Sequence, residues 1–433
     1  MYKCEVNMNQ NLGEQTYVTT LKNGLSVYIC KKVGFEKKIA MFGTKYGSLM
    51  NEFTDITTGK RTKVPDGIAH FLEHKLFEKE GGNALDLFAE RGISANAYTS
   101  FDQTVYYFET ITKFEEGMEM LVKVVKEPYF TDENVAKEQG IIGQEIKMGN
   151  DEPSQTVFYN MLKAMYHKTP VKIDIAGTVE SISKITKELL YKCYHTYYSP
   201  QNMFFVVVGD VDIENTLKIL EDNIKIYEKG YDKNQSKTKI ETFFDEEPSE
   251  IVQKEIEEKM DVFLPQMLIG YKLDVVKHEI LLKRQIVADI VSDMYFSKQT
   301  QFFEKEYNKG YIDEPVELEY EGSNNYSSII IEAGSLKIDK VKEDILEYVE
   351  KIKAEPVDEE LFQLIKKKKI GHMEFFADNL NSSYRRIIDS IINETGVYSD
   401  CDILNLIQSS DIKEFLNLID NNRRVISVIR PKN

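Results

Sequence analysis

Two β-rich runs open the chain, Thr16–Leu21 and Leu25–Ile29, and between them Asn23-Gly24 supplies the dipeptide favoured in tight primed turns. The pattern then becomes helical over residues 67–78 and again over residues 83–91. Thr104–Thr110 (TVYYFET) reads as a strand, and Phe114–Lys126 carries apolar residues at helical spacing. Pro128 interrupts before another helical stretch, Asp132–Met148, for which Thr131 is a suitable cap. A helix near Thr186–Tyr197 leads into the strand Met203–Val208.

The second half repeats this order. Tyr326–Glu332 (YSSIIIE) reads as a strand, Ile338–Ile352 as a helix, Pro356 as an interruption and Asp358–Phe376 as a longer helix. Asp411–Ile419 is helical and Arg424–Ile429 is a strand. The shared succession of strand, helix, proline and helix predicts an α+β chain made of two duplicated α/β domains, each of roughly two hundred residues. Residues 1–228 form the first, residues 251–433 the second, and the stretch 229–250, rich in Lys, Asp, Glu and Ser, is the linker. One asymmetry is informative. His278–Phe296 contains a single histidine and no paired His/Glu arrangement, so the chemistry of the first half is not repeated.

At 433 residues the chain exceeds one ordinary domain. Its net charge of −17 argues against nucleic acid as a partner, because phosphates need basic patches; an acidic surface also serves solubility alone. No leader-like apolar run follows basic residues near Met1, and no stretch reaches the ~20 apolar residues of a membrane span. Cys4, Cys30, Cys193 and Cys401 are scattered and read as reduced core thiols, so the expected compartment is the cytoplasm.

Residues 67–78 read GIAHFLEHKLFE, which contains His70-x-x-Glu73-His74. On a helix His74 lies about 40° from His70, and Glu73 about 60° to its other side, so the three share a face. Phe71, Leu72 and Leu76 fall on the flank and anchor the helix in a core. Two imidazoles at i and i+4 can grip one metal ion, and a carboxylate beside a ligand can reach bound water. A catalytic zinc site takes three protein ligands and leaves the fourth position to a water whose pKa falls to about 7. Glu73 would then act as general base.

The third ligand is sought on Asp132–Met148, where Glu138 and Glu145 stand seven residues apart on nearly one stripe, with Gly140 and Gly143 between them inviting close approach of another helix. Periodicity does not choose between these glutamates, and a solvated acidic stripe is the other reading.

The order HxxEH resembles the inverted zinc motif of the pitrilysin/insulinase family, which includes the mitochondrial processing peptidases. That family places a third ligand, a glutamate, some seventy residues beyond the second histidine, with another glutamate seven positions before it. Glu145 follows His74 by 71 residues and Glu138 precedes Glu145 by seven. The resemblance therefore implies zinc held by His70, His74 and Glu145, with Glu138 orienting the site. Residues 46–48 (YGS) resemble the segment upstream of the family's motif. Residues 94–108 (SANAYTSFDQTVYYF) resemble its edge strand, on which members bind substrate backbone as an added strand; Asn96 and Ala97 are the candidates there. HFLEHKLFE is similar to a bacterial branch associated with aminopentanol modification of elongation factor P. The resemblance further implies that the two domains form one half-shell of a clam-like chamber.

One stretch departs from the pattern. Family members supply an arginine and, seven residues later, a tyrosine from the second half-shell. In Glu304–Tyr311 (EKEYNKGY) Tyr311 fits the tyrosine, but Glu304 replaces the arginine and would repel a developing oxyanion. The expectation is a heterodimer with a similar-sized subunit lacking HxxEH, with a homodimer as the other arrangement. The function expected is zinc-dependent endopeptidase action on peptides or precursor segments. A non-enzymatic scaffold or assembly subunit that retains structural zinc is the alternative.

His167, His195, His278 and His372 have no partner at ligand spacing, and Lys366–Lys369 reads as a solvent-facing run.

Overall fold

The computed structural model describes residues 2–227 and 240–432, so the predicted linker lies partly outside the described residues. The chain divides into two compact units. One comprises Met1–Ile146, Asp174–Phe244 and Phe376–Ile392; the other comprises Lys147–Ile173, Asp245–Phe375 and Asn393–Asn433.

The first unit is built on a seven-stranded sheet. Its strands are β1 (Glu5–Asn9), β2 (Glu14–Thr20), β3 (Ser26–Lys31), β4 (Lys38–Thr44), β5 (Ser94–Thr99), β6 (Thr104–Thr110) and β7 (Met203–Gly209), in the spatial order β1-β2-β3-β7-β4-β6-β5. β7 is parallel to β3 and antiparallel to β4. β4 and β7 sit inside the sheet and are buried almost throughout, which is why they read as continuous apolar runs rather than alternating ones. Among the described residues β5 pairs only with β6 and forms one edge.

The second unit has five strands, β8 (Glu255–Met260), β9 (Gln266–Lys272), β10 (Glu317–Gly322), β11 (Ser327–Gly334) and β12 (Arg424–Pro431). Their order is β8-β12-β9-β11-β10, with β12 parallel to β8 and antiparallel to β9. This is the arrangement β3-β7-β4-β6-β5 again, in the same directions. The duplication therefore extends to the topology of the main sheets, to which the first unit adds the strands β1 and β2.

The helices that matter here are α1 (Ile68–Phe77), α2 (Ala84–Glu90), α3 (Phe114–Lys126), α4 (Asp132–Asn150), α5 (Pro153–Met165), α6 (Lys187–Tyr197), α7 (Ile213–Tyr227), α8 (His278–Tyr295), α9 (Gln301–Asn308), α10 (Ile338–Ala354), α11 (Glu359–Phe375) and α12 (Leu380–Asn393). The expected caps are present: Thr131 Oγ1 accepts from Asn134 N at the start of α4. By position β6, α3 and α4 correspond to β11, α10 and α11, the succession interrupted by Pro128 and Pro356.

Chain order conceals one exchange. α5 follows α4 directly yet packs in the second unit, where Met161 and Met165 lie against Gly270 of β9 and Tyr166 Oη donates to the Ser327 carbonyl at 3.0 Å. Conversely α12 comes late in the chain and packs in the first unit. There Arg386 and Ser383 bond the buried Glu14 carboxylate at 3.0 and 2.6 Å, and Lys32 reaches both Glu14 and the Ala377 carbonyl. The 1–228 and 251–433 halves read from sequence thus differ from the packed units by these two segments.

The four cysteines are free thiols, three of them buried. Among the described residues no helix is long and apolar enough to cross a membrane. Lys366–Lys369 is a correction. Lys366 bonds the carbonyls of Asn405 and Ile407, while Lys368 and Lys369 pair with Asp293, so three of the four are half-buried and only Lys367 is exposed.

Candidate metal centre

α1 begins at Gly67, whose backbone is left-handed (φ 88°). A Cβ there would stand 2.3 Å from the Ala176 carbonyl oxygen, so glycine meets both the backbone conformation and the close approach. The helix is then fixed in rotation by Phe71, Leu72 and Leu76, all fully buried, as the sequence pattern predicts. That rotation turns His70, Glu73 and His74 to the other face.

The side chains of His70 and His74 are 12% and 27% exposed, their ring centroids 4.6 Å apart. From α4, Glu145 brings one carboxylate oxygen to 3.6 Å from His70 Nε2 and the other to 3.7 Å from His74 Nε2. These distances exceed a hydrogen bond, so the three groups face a common point rather than bonding one another. Their donor atoms all lie within 4.8 Å of one another, and among the described residues no other His, Cys, Asp and Glu group of three comes together in this way. Ligands about 2.0–2.1 Å from a tetrahedral zinc stand about 3.3 Å apart, so two nitrogens and an oxygen in this disposition fit the ion.

Glu138, two turns before Glu145 on α4, is buried and aims Oε1 at His74 Nδ1, 3.1 Å away. That contact leaves His74 Nε2 to face the Glu145 carboxylate. Gly140 and Gly143 do not admit another helix: no atom stands within 4 Å of where a Cβ would project, so that expectation is corrected.

Electrostatics separates the four groups. Burial, with the neighbouring His74 second, pushes the His70 imidazole down to about 4, so it is neutral and keeps a lone pair. Burial acts on His74 in the same direction but is outweighed by the Glu138 hydrogen bond and the surrounding carboxylates, which raise it. Burial raises Glu73, partly offset by the Thr99 hydroxyl, which donates to Oε2 at 2.7 Å. Glu138 is lowered: burial works against its charge, and the bonds to His74 and the Lys75 ammonium prevail.

A cavity of about 940 Å³ opens beside Glu73 and His74. Phe77, Leu85, Tyr129 and Ile141 contribute its apolar patches, charged and polar groups such as Glu80, Glu133 and Lys137 make up most of the wall, and Asn96 of β5 borders it. Asn96 is exposed, and its Oδ1 accepts from the half-buried Ala97 amide at 2.8 Å. β5 thus carries Asn96 and Ala97 on the sheet edge and Thr99 against Glu73. Tyr311 and Glu304 belong to the second unit. Tyr311 is half-buried just after α9, with Lys309 Nζ 5.1 Å from its ring centre, and Glu304 is exposed in the first turn of α9. Sequence reasoning missed Thr99 and Lys75. Thr99 lies within the stretch singled out as the edge strand, whereas no pattern marked Lys75 as buried.

Residues 54–179 match the family described as insulinase, peptidase family M16, and residues 184–369 match the peptidase M16 inactive domain. The chain is 40% identical over 366 residues, 84% of each chain, to a Bacillus subtilis protein named uncharacterized zinc protease YmfH. A crystal structure of a putative M16-like peptidase from Alicyclobacillus acidocaldarius superposes with a TM-score of 0.89 at 30% identity, covering 97% of this chain and 99% of that one. The fold is also that of a protease from Helicobacter pylori, with a TM-score of 0.83 at 19% identity over 96% of this chain and 100% of the other.

Proposed function

The chain belongs to the insulinase family, peptidase family M16, and on that premise we propose that it is a zinc-dependent endopeptidase acting on extended peptides or precursor segments. The observation that carries this reading is the convergence of His70, His74 and Glu145 next to a buried, otherwise unligated Glu73. His70, His74 and Glu145 would hold the metal. When bound, zinc supplies the Lewis acidity that makes water a nucleophile near neutral pH.

Glu73 takes the proton of the attacking water and delivers it to the departing amine, a role suited to a carboxyl whose pKa burial has raised. Thr99 holds one oxygen of Glu73 and leaves the other for this exchange. The open edge of β5 receives the peptide backbone as an added strand, with Asn96 and Ala97 the candidate contacts there. The cavity next to Glu73 takes one substrate side chain.

Glu304, in place of a cation opposite the oxyanion, supports a heterodimer whose similar-sized partner lacks HxxEH and brings the missing charge. Two copies of this chain would each provide the glutamate instead. The test is hydrolysis of a quenched fluorogenic peptide mixture by the zinc-loaded chain, alone and with such a partner. The heterodimer reading expects turnover to rise at least ~10-fold on mixing, as expected for adding one oxyanion-stabilising group. Full activity of the chain alone would overturn the heterodimer while leaving the peptidase, and no turnover in either mixture would favour a scaffold.

A further inference from the structure

Lys75 immediately follows the second motif histidine and is fully buried, at 0% exposure. An ammonium in that position is costly unless it is paired and hydrogen-bonded. Its neighbours Phe71, Leu72 and Leu76 are equally buried, so an apolar side chain would satisfy the packing. Replacing a buried charge by a well-packed apolar residue is often neutral or stabilising, and packing therefore does not account for a lysine here. The contacts of its Nζ do. They are the Asn134 carbonyl at 3.1 Å, Glu138 Oε2 at 3.4 Å, and Glu78, the C-cap residue of α1. Glu138 thus uses its two oxygens on adjacent residues of one helix, Oε1 on His74 Nδ1 and Oε2 on Lys75 Nζ. His70 has no such support: its Nδ1 is buried without a hydrogen-bond partner among the described residues. The orientation of the His74 ring rests on the His74–Glu138–Lys75 chain.

We propose that Lys75 is a positioning residue of the metal centre, which fixes the Glu138 carboxylate in the orientation that aims His74 Nε2 at the ion. The inference rests on the zinc reading of His70, His74 and Glu145. Glu78 and the Asn134 carbonyl hold the ammonium, Lys75 holds Glu138, and Glu138 holds the imidazole. Glu78, Asn134 and Glu138 border the cavity beside Glu73, whereas Lys75 lies behind them and acts only through Glu138. A carboxylate with one anchor can turn about its last torsion, while one anchored at both oxygens cannot.

The test is a double-mutant cycle on the full chain, read as zinc affinity of the metal-stripped protein by chelator competition, with the melting temperature of each metal-free variant alongside. Lys75→Met is expected to weaken zinc about 10-fold, and Glu138→Gln about 10–100-fold, the range for residues that support a ligand. The double variant is expected to bind as Glu138→Gln alone does, because Lys75 acts only through that carboxylate. Lys75→Arg is expected to recover part of the affinity. Multiplying losses in the double variant, or zinc binding by Lys75→Met within twofold of native, would overturn the role. If Lys75→Met does not fold, Lys75→Gln carries the same cycle. A native chain that binds no zinc would overturn the metal reading itself, an outcome distinct from an unaffected Lys75 variant.

Discussion

Glu73→Gln is expected to reduce peptide hydrolysis by about 10²–10⁴-fold while zinc remains bound at one ion per chain. The substitution keeps the volume of a side chain that is 8% exposed, and the Thr99 hydroxyl can donate to the amide oxygen as it does to the carboxylate. Nothing in the packing of α1 is disturbed. Glu73 is not part of the converging His70, His74 and Glu145 group, so metal content is unaffected. What disappears is a group able to accept a proton from water and return it to the leaving nitrogen. Steady-state assays with metal analysis of the same samples decide the point. A variant that keeps both its zinc and its activity would remove Glu73 from the chemistry.

Glu145→Gln is expected to weaken zinc binding by more than the ~10–100-fold typical of a supporting residue, and to leave the stability of the metal-free chain within about 0.5 kcal/mol. Glu145 is half exposed, with a side-chain exposure of 51%, and its carboxylate stands 3.6 and 3.7 Å from the two imidazoles without bonding either. Folding therefore does not depend on it, whereas the ion would. Glu138 is the contrasting case, being buried, bonded to His74 and linked to Lys75. Its loss is expected to cost stability as well as affinity. Zinc titrations and melting curves of the two variants separate a ligand from a support. The reverse ranking would show that the wrong glutamate had been taken as the ligand.

Much of this site was legible in the sequence because a helix has a fixed period. The spacing of His70, Glu73 and His74 placed them on one face, and Phe71, Leu72 and Leu76 on the flank away from it, and the packing of α1 agrees. Periodicity also placed Glu138 and Glu145 on one stripe but could not rank them, since the difference between them arises from what α1 brings near. Lys75 was illegible for a related reason. Lysine is ordinarily exposed, and its burial is tolerable only through the local Glu78 and two tertiary partners on α4, the Asn134 carbonyl and Glu138. In the fold, β4 and β9 escaped detection while the equally buried β7 did not: in MFFVVVG the run from Phe204 to Val208 is β-branched and aromatic throughout, whereas KIAMFGT and QMLIGYK are short mixed apolar runs, each interrupted by a glycine, that periodicity does not separate from helix. The exchange of α5 and α12 between the units has no local sequence signature, because it is fixed by long-range contacts such as Arg386 with Glu14.

The most direct measurement of the central claim is a zinc titration of the metal-stripped native chain, alone and with a similar-sized subunit lacking HxxEH added, followed by cleavage of a quenched fluorogenic peptide. The account predicts that cleavage is absent without metal, rises in proportion to added zinc and saturates at one ion per chain. Cleavage that proceeds without metal, or zinc that saturates the chain without any cleavage appearing, would contradict it.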